Sequence, residues 1–343
     1  MLNSDTLHQL LAGFFTEAYA VMQKNFYKSL FAGMLLLSAL FFAVTHFGEL
    51  THFLLLLRNI EPFWLILAFI LQLGTYLALA LVWKRALHHF EVDYPLYQLV
   101  PLALAKLFAD QALPSGGISG IAFILNVFSR RNVSRKLGMG VMLLSILSYY
   151  AAYIVVTAAS LLILGVYHHI HEWMVLVGGI FFVVAVAIPA VILWIKKWGV
   201  QEELPVWLKH LPVLAGIVET YADVPDDVVR NPLLFAEATF FQIVIFLLDA
   251  ATLWAMLSAL GQPVSVFLAF PCFVIASLVA MLSLIPLGIG SFEATCVGLL
   301  VMLGIRVETA LAATLLFRGF MLWLPMIPGL LITRRVLKNE SVI

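Results

Sequence analysis

Charge is scarce in this chain. Asp, Glu, Lys and Arg make up 11% of its 343 residues, whereas hydrophobic residues make up 63%. A soluble domain carries about twice that charge, so a soluble globular protein is excluded and a polytopic membrane protein is left. Cysteine is nearly missing too. Cys272 and Cys296 both fall in apolar stretches, which argues against a disulfide framework. Residues 1–28 have no short apolar core followed by small residues, so no signal peptide is expected. No polar stretch is long enough for a separate soluble domain, and 1–343 read as a single membrane domain. There is no HExxH helix, Walker A loop or paired-Asp motif of prenyl-phosphate enzymes. Neither a cofactor nor a nucleic-acid partner is expected.

What the chain does have is apolar length. A span needs about 20 residues at 1.5 Å each, and runs of that order occupy 29–47, 62–83, 137–166, 173–195, 232–260 and 309–333. Two more apolar regions, 95–128 and 264–304, are interrupted by proline and glycine. Each reads as two arms meeting at a tip, and the short second arms, 119–128 and 291–303, favour re-entrant hairpins. The expected architecture is therefore all-α: six transmembrane helices plus two re-entrant helical hairpins. The first repeat would be 29–166 and the second 173–333. Residues 1–28 and 198–231 carry apolar side chains at helical spacing and read as interfacial segments on the inner surface.

Positive charge gives the orientation. If each broken region returns to the side it entered, only Arg58 and Arg306 of the 19 Lys and Arg fall on the outer side. Lys106 and Arg318 lie inside apolar segments, and the rest cluster on the other side. By the positive-inside rule both termini are cytoplasmic, in a bacterial inner membrane. The same parity makes the first hairpin enter from the cytoplasm and the second from outside. The repeats are thus expected to be inverted, the arrangement on which alternating-access carriers are built.

The tips match in sequence. One reads Leu113-Pro114-Ser115-Gly116-Gly117-Ile118-Ser119-Gly120, the other Ile285-Pro286-Leu287-Gly288-Ile289-Gly290-Ser291-Phe292-Glu293. A single offset lays Pro114 on Pro286, Gly116 on Gly288 and Ser119 on Ser291. Broken helices free backbone groups that hydrocarbon cannot satisfy, so they face protein or a wet cavity. Ser119 and Ser291 read as N-caps of the short arms, whose starts would present N–H groups to an anion such as phosphate. The alternative is a kinked helix whose glycines only allow close packing. Polar residues within spans cost roughly 2.5–3.5 kcal/mol each and need a partner or a purpose. Lys106 and Asp110 share a helix face and can pair, as a structural pair or a headgroup contact. Glu293 and Arg318 lie at similar depth and are expected to pair. Asp249 is either buried by pairing or lines a cavity. Glu237 reaches the inner interface. Gly117-Ile118-Ser119-Gly120 also matches the GxSG of rhomboid proteases, but no histidine falls inside a later span to serve as base. His168, His169 and His171 cluster on the outer side, read as a solvated loop in preference to a metal site.

The stretch from Ala259-Leu260-Gly261 through Pro286-Leu287-Gly288-Ile289-Gly290-Ser291-Phe292-Glu293-Ala294 to Leu315-Leu316-Phe317-Arg318 resembles the lysylphosphatidylglycerol synthase transmembrane region, a flippase-like integral membrane family. Pro286, Gly288, Gly290, Glu293, Ala294 and Arg318 match its Pro-Gly-Gly-x-Gly-x-x-Glu-Ala and Leu-x-Arg motifs, and Leu113-Pro114 with Gly116 and Gly117 is similar to its first motif. Leu287 departs, standing where the family has a glycine. The acidic residue and arginine that follow the first motif in many relatives are replaced by Ile118 to Phe123, and an Arg-x-x-Asp is missing near Ser145–Tyr149. The resemblance implies lipid translocation without the soluble aminoacyl-transferase domain, so the chain is not expected to be an enzyme.

The expected function is a lipid flippase that moves a phosphate-bearing lipid, phospho- or polyprenyl-linked, between leaflets. The substrate-binding candidates are Lys106, Asp110, Pro114, Ser115, Gly116, Gly117, Ser119, Asp249, Pro286, Gly288, Gly290, Ser291, Glu293 and Arg318. The expected partners are the membrane lipid and either a second copy of the chain or an envelope-biosynthesis protein. An intramembrane enzyme or accessory subunit acting on lipid-linked substrates, and a non-catalytic scaffold, are the competing readings.

Overall fold

A computed structural model describes residues 61–112, 117–131, 133–166, 171–201, 231–283 and 285–338. Every regular element among them is a helix. In order they are α1 (Pro62–His89), α2 (Leu96–Ala112), α3 (Ile118–Arg130), α4 (Arg135–Val166), α5 (Glu172–Gln201), α6 (Pro232–Ala259), α7 (Val266–Leu282), a 3₁₀ turn (Pro286–Gly288), α8 (Ser291–Met302) and α9 (Val307–Arg318). A π-helical turn (Gly319–Trp323) then leads into α10 (Leu324–Lys338). Four helical stretches are long and apolar enough to cross a membrane: Pro62–His89, Arg135–Val166, Pro232–Ala259 and Val307–Val336. Shorter apolar helices are Ser119–Arg130, Glu172–Ala187 at the start of α5, Val266–Leu282 and Ser291–Met302. The expected span 29–47, the segment 1–28 and nearly all of 198–231 lie outside the described residues.

Two runs of helices match in length. α1 and α6 have 28 residues each, and α2 and α7 have 17 each. α3 has 13 against 12 in α8. The 32 residues of α4 are answered by the 12, 5 and 15 of α9, the π turn and α10. Landmarks also recur. Pro62 and Pro232 open α1 and α6, and Pro101 and Pro271 sit inside α2 and α7. Gln72 and Gln242 are buried at matching places in α1 and α6.

α1 and α6 pack closely and antiparallel. The N–H of Glu61 donates to the carbonyl of Ala259 (3.4 Å) at one end. At the other, Asn231 Nδ2 lies 3.4 Å from His89 Nε2, and Arg85 pairs with Glu237 at 3.8 Å. Glu237 is thus near a helix end, as its position in the sequence implies. Gly74 permits the close approach: a Cβ there would lie 3.0 Å from Leu248 Cδ1. Side chains such as Phe63, Ile66, Ile70, Val175, Leu176 and Phe182 are exposed, as expected where helices face lipid.

The two broken regions each form a pair of helices that pack on each other, α2 with α3 and α7 with α8. The first pair is buried with α1, the start of α4 and Val336 of α10. The second is buried among α4, α5, α6 and α9. Cys272 and Cys296 are free and buried. The expected span 309–333 falls within the continuous helical stretch Val307–Val336, which widens into a π turn directly after Arg318.

Candidate functional site

The second tip is tied together by one carboxylate. Glu293 stands in the first turn of α8, and its Oε2 accepts the Gly290 N–H (2.6 Å). Its Oε1 accepts Arg318 Nε (2.6 Å) from the end of α9. Arg318 Nη2 donates in turn to the Leu287 carbonyl (2.9 Å), and the guanidinium lies 5.0 Å from the Phe292 ring centroid. The ion pair expected from the sequence is therefore present, and it is largely buried, with the two side chains 7% and 12% exposed. Such a pair is held by the hydrogen bonds around it more than by its Coulomb attraction, because burial carries a desolvation cost. Arginine suits the place, since its planar fork reaches the carboxylate and a tip carbonyl together.

The first tip follows the same plan with different parts. Asp110 Oδ1 accepts the Gly120 N–H (2.9 Å) and Oδ2 accepts Lys106 Nζ (2.6 Å). Both carboxylates thus divide their oxygens in one way, one to an N–H at the start of the short arm and the other to a cation. Here the cation is on the carboxylate's own helix. A Cβ on Gly120 would collide with the Asp110 carboxylate and come within 2.7 Å of Lys106 Cγ, so the α2–α3 contact depends on that glycine. Pro114, Ser115 and Gly116 lie outside the described residues.

The expectation that Ser119 and Ser291 cap the short arms is overturned. The N-cap positions belong to Gly117 (φ 92°) and Gly290 (φ 87°). Each serine lies inside its helix, Ser119 tying it to α2 and Ser291 tying it to the tip and the end of α7. Ser119 Oγ donates to the Ala109 carbonyl (2.9 Å). Ser291 Oγ is 3.0 Å from the Gly288 carbonyl and 3.1 Å from Ser283 Oγ. The positive φ that the tips need outweighs the capping preference, because glycine meets no Cβ penalty there. Gly288 also has φ 60° and packs against Ala280 of α7, while Pro286 opens the 3₁₀ turn.

Asp249 is not at either tip. It is buried between α6 and α1, and Gln72 Nε2 donates to its Oδ1 (2.9 Å). Gln72 Nε2 also lies 3.3 Å from Thr252 Oγ1, whose own proton goes to the Leu248 carbonyl (2.9 Å). Gln72 is a residue the sequence reading missed, although a lone amide in the middle of an apolar run was signal enough. Its counterpart Gln242 donates to the Ser145 carbonyl (3.3 Å). A second missed group is Arg131, which stacks 5.3 Å from the Tyr94 ring and donates to Gln98. There, burial pushes the Tyr94 hydroxyl above its ordinary pKa, and Arg131 opposes the shift.

A mostly apolar pocket of about 170 Å³ lies between α4, α5, α7 and α8, lined by Leu164, His171, Met174, Cys272, Leu299 and Leu303. It is distinct from the charged tips. Among the described residues no three His, Cys, Asp or Glu side chains group as metal ligands, and His168 and His169 lie outside that set.

No curated protein matches the chain at a significant level. The sequence pattern of the lysylphosphatidylglycerol synthase TM region matches residues 28–329, nearly the whole length and both tips. The chain, a multi-pass assembly of apolar helices, belongs to the lysylphosphatidylglycerol synthase TM region family.

Proposed function

We propose that this protein is a lipid flippase of the bacterial cytoplasmic membrane, moving a phosphate-bearing lipid between leaflets by alternating access. The observation that carries this reading is the shared construction of the two tips. At each, a carboxylate bonds an N–H at the start of a short helix and holds a cation beside it. A phosphate offers the cation and those N–H groups the same kind of acceptor. An incoming headgroup therefore competes with the carboxylate for Lys106 or Arg318, and binding is linked to release of the tip.

The matched lengths and the antiparallel packing of α1 and α6 support two inverted repeats. In this reading six helices span and the α2–α3 and α7–α8 pairs are re-entrant from opposite faces, with both termini cytoplasmic. The role is transport and not chemistry on the lipid. Its partners are the lipid itself and a second copy or an envelope-biosynthesis protein.

The test is transport of a fluorescent phospholipid in vesicles holding the purified protein, read by dithionite quenching of the outer leaflet. Glu293→Gln and Arg318→Gln each strand a buried charge, a loss of about 3–5 kcal/mol, and each should lose both stability and transport. The double neutral variant should regain thermal stability without regaining transport. Wild-type transport by Arg318→Gln would overturn this account of headgroup capture.

A further inference from the structure

Among the described residues, the carboxylate of Asp249 has no counter-charge. It lies well inside α6, ten residues before Ala259, and its side chain is 9% exposed. Its hydrogen-bond partner is the neutral amide of Gln72. Thr252 cannot serve as a donor to it, because that hydroxyl spends its proton on the Leu248 carbonyl and stands as an acceptor towards Gln72. The same constraint fixes the amide, which must present its nitrogen to both groups.

Among the described residues of the helices packed against α6, the cations Arg85 of α1 and Arg318 of α9 pair elsewhere, with Glu237 and Glu293. Among the described residues, the titratable groups within its electrostatic reach are Tyr76 of α1 and Tyr149 of α4. The buried Tyr76 hydroxyl has no hydrogen-bond partner, and Tyr149 stacks on Phe246 one turn from Asp249. α7 carries no charged residue. The charges of α9 are engaged elsewhere, Arg318 with Glu293 and Glu308 with Arg306. Both tip carboxylates, Asp110 and Glu293, hold a cation, whereas Asp249, away from the tips, has only an amide among the described residues.

We propose that Asp249 is an exchangeable proton site within the spans, loaded as the neutral acid and emptied when the α1–α6 interface opens, and that lipid movement is coupled to that exchange. The inference rests on the flippase reading for its coupling, but not for the proton site itself. Loading is the transfer of one proton from water to a carboxylate oxygen, and unloading is its return to water, with no other bond changed. The neutral acid fits the closed packing, since a neutral carboxyl needs no counter-ion, whereas the anion requires water or a cation. Gln72 is a positioning residue: it holds one oxygen and leaves the other as the proton acceptor.

Infrared spectra of the full-length protein in vesicles of phosphatidylethanolamine and phosphatidylglycerol test the site directly. A protonated-carboxyl band should be present in the wild type, vanish as pH rises, and be missing from Asp249→Asn at every pH. Gln72→Leu should keep the band and change the pH at which it is lost. A spectrum that Asp249→Asn leaves unaltered, or a titration that Gln72→Leu leaves unmoved, overturns the assignment. In the same vesicles, a labelled phosphatidylglycerol should distribute unequally between leaflets under an imposed pH gradient. One proton per lipid sets about a tenfold ratio for each pH unit. A wild type that moves the label but ignores the pH gradient, or follows a sodium gradient instead, overturns the coupling. A wild type that shows the band but moves no label counts against the flippase reading and leaves the proton site standing.

Discussion

Leu287 occupies a left-handed backbone conformation (φ 60°) in the 3₁₀ turn of the second tip. An L-residue with a side chain pays roughly 1–2 kcal/mol there, and this is the position where the family pattern has glycine. Its side chain is 37% exposed, so little packing is lost by shortening it. Leu287→Gly should therefore raise the thermal unfolding temperature, the relieved strain exceeding the roughly 0.5–1 kcal/mol of added chain entropy. The neighbouring glycine behaves oppositely. A Cβ on Gly288 would strike Ala280 and come within 3.0 Å of its Cα, so Gly288→Ala should lower the unfolding temperature, overpacking costing about 1–3 kcal/mol. A melting curve of each variant in detergent decides both. At this scale the sequence disclosed which residue types gather at the tips, but not their roles. The glycines were legible as breaks, and the Glu293–Arg318 pair as a match of depth. That Ser119 and Ser291 would bond the opposite arm and not cap their own helix depended on backbone angles that no residue type announces.

Helix boundaries were the most legible part of the fold, for a physical reason. Proline and glycine end helices, so the apolar runs 62–83, 137–166 and 232–260 answer to Pro62–His89, Arg135–Val166 and Pro232–Ala259. Both broken regions are seen as helix pairs for the same reason. The π turn of Gly319–Trp323 left no such mark. Apart from Gly319 its residues are ordinary apolar ones, and single π turns inside α-helices carry no composition of their own. Packing between elements was equally hidden. Gly74 read as an unremarkable glycine in a span, yet it meets Leu248 across the α1–α6 interface. Gly74→Leu should push these helices apart and lower the unfolding temperature by several degrees, a core overpacking of about 1–3 kcal/mol, whereas Gly179→Leu, with nothing within 4 Å, should leave it nearly unchanged.

Taken whole, the molecule has two ends that the chain visits in a fixed order. Glu61 and Ala259 meet at one, His89 and Asn231 at the other. Leu164, His171 and Leu303 line one pocket, which places the end of α4, the start of α5 and the end of α8 together. The division of basic residues predicts that grouping, because charge distribution reports which loops remain behind during insertion. Single-cysteine labelling measures the sidedness. Ser134 and Val307 are both exposed, and cysteines there should react with an impermeant reagent from opposite faces, Ser134 from the cytoplasm. Labelling of both from one face would remove the inverted arrangement.

The two tip clamps differ in where the cation is anchored. Lys106 is four residues from its carboxylate on one helix, whereas Arg318 is 25 residues from Glu293 and on another helix. The first is a latch within one helix, reaching the short arm only through the carboxylate's other oxygen on the Gly120 N–H. The second is a tie-bar, binding α8, the 3₁₀ turn and the end of α9 into one load-bearing unit. The matched halves are thereby braced differently. If the tips gate transport as proposed, the placement of a single arginine lets the two gates yield at different rates, while the gradients alone set the direction.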